Sequence, residues 1–69
     1  MKKGFYQWLK KQKERPDQVG DLARDALLDD TFPKEANTQK RLMSYFEKRK
    51  ASDLAIASLQ LAWDEFSAN

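Results

Sequence analysis

Glu14-Arg15-Pro16-Asp17-Gln18-Val19-Gly20-Asp21-Leu22-Ala23-Arg24-Asp25-Ala26-Leu27-Leu28 decides how the chain is read. Pro16 stops whatever helix precedes it, because the residue before a proline is driven out of the helical region. Asp17 then offers a side-chain oxygen to cap a new helix. Val19, Leu22, Ala23, Ala26 and Leu27 recur at the spacing of one helical face, which predicts a helix over 18–28. Gly20 weakens that helix by up to about 1 kcal/mol relative to alanine, a cost expected where another backbone comes close.

On the N-terminal side, Phe5, Trp8, Leu9 and Gln12 share a face, predicting a first helix over 3–14. On the C-terminal side, Asp29-Asp30-Thr31-Phe32-Pro33-Lys34 reads as a turn in which Phe32 is extended and plugs the core. Asn37 or Thr38 caps a third helix over 38–50, with Leu42, Tyr45, Phe46 and Arg49 on its face and Met43 at the edge. Lys48, Arg49 and Lys50 fall in its last turn, where the helix dipole favours cations. Ser52 caps a fourth helix with Asp53 in its first turn, and Ala55, Ile56, Leu59, Ala62, Trp63 and Phe66 line one side. No alternating apolar run suggests a strand. The expected fold is all-α, a small four-helix bundle forming one domain over residues 1–69.

Composition narrows the function. At 69 residues the chain holds one small domain, and its four Phe, two Trp and two Tyr are needed as core. With no cysteine and no histidine there is no disulfide, no thiolate nucleophile, no imidazole base and no ordinary zinc site. Gly4 and Gly20 stand alone, so there is no phosphate-cradling loop. An enzyme is not expected, nor a cofactor. Met1-Lys2-Lys3-Gly4 begins like a signal peptide, but Lys10, Lys11 and Lys13 interrupt any apolar run, and no stretch approaches the roughly 20 residues of a membrane span. The expectation is a cytoplasmic protein with no membrane association. Formal charge alternates along the chain: basic over 1–15, acidic over 16–35, basic over 36–51, acidic over 52–69.

Four segments carry a resemblance. Phe5-Tyr6-x-Trp8-Leu9 opens the first helix, Phe32-Pro33-Lys34 follows an acidic turn, and Tyr45-Phe46 lies in the third helix. Ala57-Ser58-Leu59-x-x-Ala62-Trp63-Asp64-x-Phe66 closes the chain. Their order and spacing over residues 4–67 resemble the YozE-like family, small proteins with a fold similar to the sterile alpha motif. The chain departs from that pattern at Leu59 and Phe66, where the resemblance leads to Phe and Tyr, a matter of packing detail. The resemblance implies a helical bundle and assigns no catalytic residue. Related folds serve protein association in some families and nucleic-acid binding in others, so it does not choose between them.

Three constellations remain. Asp17, Asp21, Asp25 and Asp29 form a row at i, i+4 steps, where like charges cost about 0.2–0.5 kcal/mol per pair. The plainest reading is a solvated acidic face. Pairing with cations of this chain, a basic partner, or a hard metal ion are the sharper ones. Second, Tyr6 lies beside Lys10 and Lys13, off the core stripe. Lys40, Arg41, Lys48 and Lys50 widen this into a nucleic-acid patch if the first and third helices are neighbours. The plain reading is a rim tyrosine and solubilising lysines. Third, Leu54, Ala57 and Leu61 give the fourth helix a second apolar strip. It is either buried at the centre of the domain or touches a partner. The leading expectation is a non-enzymatic interaction module that binds a protein partner or itself through Leu54, Leu61, Asp21, Asp25 and Asp29. The alternative is nucleic-acid binding through Tyr6, Lys10, Lys13, Lys40, Arg41, Lys48 and Lys50.

Overall fold

The computed structural model describes residues 4–68, and within them the chain forms α1 (Phe5–Lys10), α2 (Gln18–Leu28), α3 (Gln39–Lys48) and α4 (Asp53–Ala68) and no strand. Side-chain oxygens of the residue just before the helix start three of the four. Asp17 Oδ1 accepts the Gly20 N–H at 3.1 Å, Thr38 Oγ1 the Arg41 N–H at 3.2 Å, and Ser52 Oγ the Ala55 N–H at 3.1 Å. Thr38, not Asn37, therefore caps α3. Asn37 caps α1 instead: its Oδ1 accepts the Phe5 N–H at 2.9 Å, supplying an oxygen that Gly4 lacks.

Two boundaries differ from expectation. The expected start of the first helix at Lys3 lies outside the described residues, and α1 ends at Lys10, not Glu14. The Gln12 side-chain amide donates to Trp8 O, the carbonyl its own N–H would use in a continuing helix, while that N–H turns to Leu9 O. The chain tightens into i→i+3 turns, and Arg15 arrives against α2. There an added Cβ on Gly20 would lie 1.9 Å from Arg15 O, so the close backbone expected at this glycine is real. At the other boundary, α3 ends at Lys48. Lys50 adopts a left-handed conformation with φ 54°, its N–H bonding Glu47 O while the Ala51 N–H bonds Phe46 O. This is the double hydrogen bond of a Schellman ending, with lysine where glycine usually stands.

α4 packs against α1, α2 and α3, and α1 also packs against α2. Among the described residues α1 does not pack on α3, nor α2 on α3. The eight aromatic rings divide into two clusters. Phe5, Trp8, Trp63 and Phe66 meet at centroid distances of 5.3–5.9 Å. Tyr6, Phe32, Tyr45 and Phe46 meet at 5.5–6.4 Å. Leu9, Leu42 and Leu59 fill the space between helices, each essentially inaccessible to solvent. Leu27, expected in the α2 stripe, is exposed. The buried stripe centres on Val19, Leu22, Ala23 and Ala26, and one further residue of helical rotation carries Leu27 to its edge.

Candidate functional site

Among the described residues the backbones of α2 and α3 stay apart, and a cleft of about 280 Å³ opens between them. Leu22 and Ala26 of α2, Phe32 of the connecting loop, Phe46 of α3, and Ala51 and Ala55 at the start of α4 give it an apolar lining. A polar bridge closes one side. Asp29, just past α2, accepts from Tyr45 Oη at 2.5 Å and from Arg49 at 2.7 Å through one oxygen. Its other oxygen accepts the Thr31 N–H at 3.0 Å and the Thr31 hydroxyl at 2.9 Å. Arg49 also donates to Tyr45 Oη at 2.5 Å and Thr31 Oγ1 at 3.1 Å, and its guanidinium lies 5.5 Å from the Tyr45 ring centroid. The Tyr45 hydroxyl, then Thr31 and Arg49, hold the Asp29 carboxyl at about 2 against the burial that opposes it. The Tyr45 hydroxyl and then Asp29 raise Arg49 in turn.

Asp25, Leu22 and Ala55 continue from this cleft into a second groove, of about 320 Å³, between α2 and α4, lined also by Gln18, Asp21, Arg24, Ser52, Leu54 and Ser58. Ser58 Oγ lies 3.0 Å from Gln18 Oε1 and 2.8 Å from Leu54 O. Leu54 stands at the lip of this groove, 68% exposed, and Leu61, two turns further along α4, is 43% exposed. The fourth helix is thus both central and apolar on its outer side. Leu28 is a further exposed leucine, which the helical pattern did not single out.

The aspartate row is largely consumed within the chain. Asp17 caps α2 and pairs with Arg15 at 2.7 Å, Asp21 pairs with Arg24, and Asp29 pairs with Arg49. Arg15 also meets Glu65 at 2.6 Å, joining the α1–α2 loop to the end of α4, and this guanidinium lowers both Asp17 and Glu65. Asp25 is exposed and forms no ion pair among the described residues. Nor do three acidic side chains come together there as a metal site requires.

The basic residues are not brought together as the nucleic-acid reading requires. Tyr6 is buried, not off the stripe, and its ring packs on Phe32 at 5.5 Å. Lys10 and Lys34 hold their ammonium groups 5.3 and 5.8 Å from its centroid. Helical phase alone put Tyr6 beside the stripe, but the loop carrying Phe32 folds over it. Lys13 lies in the turn after α1, with its carbonyl accepting from Arg24. Lys40 and Arg41 lie at the start of α3 and Lys48 and Lys50 at its end, roughly 12 Å apart along the axis. Among the described residues α1 and α3 do not pack together, so the adjacency that would widen the patch from Tyr6 to the third helix is missing.

Pattern reasoning missed the Asn37 cap, the Arg15–Glu65 pair and the joining of Asp29 to Tyr45 and Arg49. The last left a trace. Arg49 lies four residues after Tyr45 on the apolar face of its helix, so its charge needed a partner, and Asp29-x-Thr31 has the form of an Asx turn.

The comparisons with known proteins agree with this architecture. The family model described as the YozE SAM-like fold matches residues 4–68, and the chain belongs to that family. It is 30% identical over 69 residues to a UPF0346 protein of Oenococcus oeni, covering 97% of this chain and 91% of the relative. It is also 30% identical over an alignment of 71 residues to a UPF0346 protein of Streptococcus mutans, covering the whole of both. No solved structure matches the chain. The fold is all-α and of the SAM-like type. No helix among the described residues is long and apolar enough to cross a membrane.

Proposed function

We propose that this protein is a small non-enzymatic interaction module, acting in the cytoplasm, that engages another protein or a second copy of itself through the face shared by α2 and α4. One observation carries the reading. Leu54 and Leu61 stay exposed two turns apart on one strip of a helix whose other side is buried, while the remaining exposed large hydrophobics, Leu27 and Leu28, sit together at the end of α2. Neighbouring exposed leucines beside a groove are a feature of association surfaces. The cleft supports the same reading. At about 280 Å³ and open to solvent, it has room for a side chain or two from a partner.

The test compares the intact chain with Leu54→Glu and Leu61→Glu by sedimentation velocity and by pull-down. Both substitutions fall at exposed positions, so the variants are expected to keep their helical circular dichroism while association weakens. If both stay folded and no association changes, the surface assignment is wrong. Nucleic-acid binding is the competing function. It predicts salt-dependent binding of single- or double-stranded DNA that survives Leu54→Glu, whereas the interaction reading expects no DNA binding even at low salt.

A further inference from the structure

We infer that the occupant of the α2–α4 face is a cationic amphipathic helix of another protein, not a second copy of this chain; the inference rests on the interaction reading above and specifies the partner. Leu54, Ala57 and Leu61 follow one another at i, i+3 and i+7, the spacing with which a helix presents side chains to a partner helix. The strip has acids on both edges. Ser58, through its contact with Gln18, marks the edge turned to α2, and Asp25 of α2 lines the groove there. Helical rotation places Asp53 and Asp64 on the opposite edge. All three carboxylates are exposed and form no ion pair among the described residues. The cations of this region are already engaged, Arg24 with Asp21 and Arg15 with Glu65 and Asp17. Residues 52–69 contain no lysine or arginine.

This charge pattern separates the two occupants. A two-fold dimer lays one patch on the same patch of its copy. An antiparallel pairing of α4 with itself turns Asp53 of one chain toward Asp64 and Glu65 of the other, and a parallel pairing sets Asp53 against Asp53. Either arrangement brings like charges together, with only Arg15, already shared between Glu65 and Asp17, beside them, which disfavours the contact. A helix with leucine-like residues on one face and lysine or arginine beside them covers the same strip and neutralises Asp25, Asp53 and Asp64. An apolar side chain entering the groove beside Leu54 is then positioned to continue toward the cleft, since the two share Leu22, Asp25 and Ala55.

The experiment titrates the full chain with a labelled synthetic peptide of about 18 residues, long enough to hold a helix, with leucines at i, i+3, i+4 and i+7 and lysines elsewhere. The controls are a peptide of the same composition in scrambled order and one with glutamate replacing lysine. The patterned lysine peptide is expected to bind about tenfold or more tighter than either control, and Leu54→Glu to weaken it about tenfold. The triple variant Asp25→Asn, Asp53→Asn, Asp64→Asn is expected to weaken it severalfold and flatten its salt dependence. Leu61→Glu, at a separate exposed position, repeats the Leu54 test. Equal binding of the scrambled peptide, indifference to both leucine variants, or no binding overturns the inference. A concentration-dependent dimer that Leu54→Glu dissolves also overturns it while leaving the interaction reading in place. Absence of every Leu54-dependent association removes both.

Discussion

Lys50 holds a backbone conformation that side chains disfavour, with φ 54°, because the Schellman ending of α3 demands it. The left-handed region costs a non-glycine residue roughly 1 kcal/mol. Lys50→Gly is therefore expected to stabilise the chain by about 1 kcal/mol, raising the melting temperature by about 4–8 °C in a domain this small. Gly20 is the opposite case. An added methyl meets a backbone carbonyl, Arg15 O at 1.9 Å, which has no flexible end to move aside. Gly20→Ala is expected to cost at least about 2 kcal/mol, read as a lower urea midpoint, despite its better helix propensity. The two positions differ in legibility. A glycine inside a helical pattern signals close approach, and that signal was present at Gly20. Nothing about a lysine announces a left-handed turn, so the end of α3 was placed two residues late.

At the scale of elements, local hydrogen bonds were readable and long-range ones were not. Asp17 and Ser52 cap helices three residues ahead of themselves, and the sequence pattern located both. Asn37 caps a helix 32 residues away, which no local pattern contains. Removing it by Asn37→Ala is expected to cost about 1 kcal/mol in thermal or urea unfolding, the usual worth of such a cap. The bridge from Asp29 to Tyr45 and Arg49 links the end of α2 to α3, whose backbones do not come close among the described residues. Asp29 titrates at about 2 in the folded chain, against an ordinary value near 3.9. Its ionised form therefore adds stability above about pH 4, and that contribution disappears as pH falls from about 4 toward 2. Glu65 and Asp17 are also lowered by Arg15, so their ionised forms too add stability that acidification removes. Asp29→Asn is expected to make the acid loss of stability shallower without abolishing it, and Tyr45→Phe to act in the same direction. Urea midpoints measured between pH 2 and 7 decide this; an unchanged slope in both variants means the bridge contributes nothing.

Across the whole molecule, α1 contributes to both aromatic clusters. Phe5 belongs to one and its neighbour Tyr6 to the other. A helix of six residues has little stability alone, so packing at its two ends holds it and, through it, the bundle. Phe5 is completely buried against Trp8, Trp63 and Phe66. Phe5→Ala is expected to cost about 3–5 kcal/mol, a large part of the roughly 3–10 kcal/mol available to a chain this size. The expected result is loss of cooperative thermal unfolding by circular dichroism. Helical periodicity identified most of these rings as core, because each falls on an apolar stripe. The pairing of stripes is a tertiary matter, and so Tyr6 was misplaced and the cleft between α2 and α3 was not foreseen. Leu54 and Leu61 were recognised as a second strip, but only the coordinates distinguish a buried strip from an exposed one.

The separation of the rings has an optical consequence. Both indoles belong to the cluster at the end of α4, and both phenols to the cluster beside the cleft. Tryptophan emission therefore monitors one half of the interior and the near-ultraviolet dichroism of tyrosine the other. The unmodified chain carries its own pair of reporters, able to reveal whether its two halves melt in step.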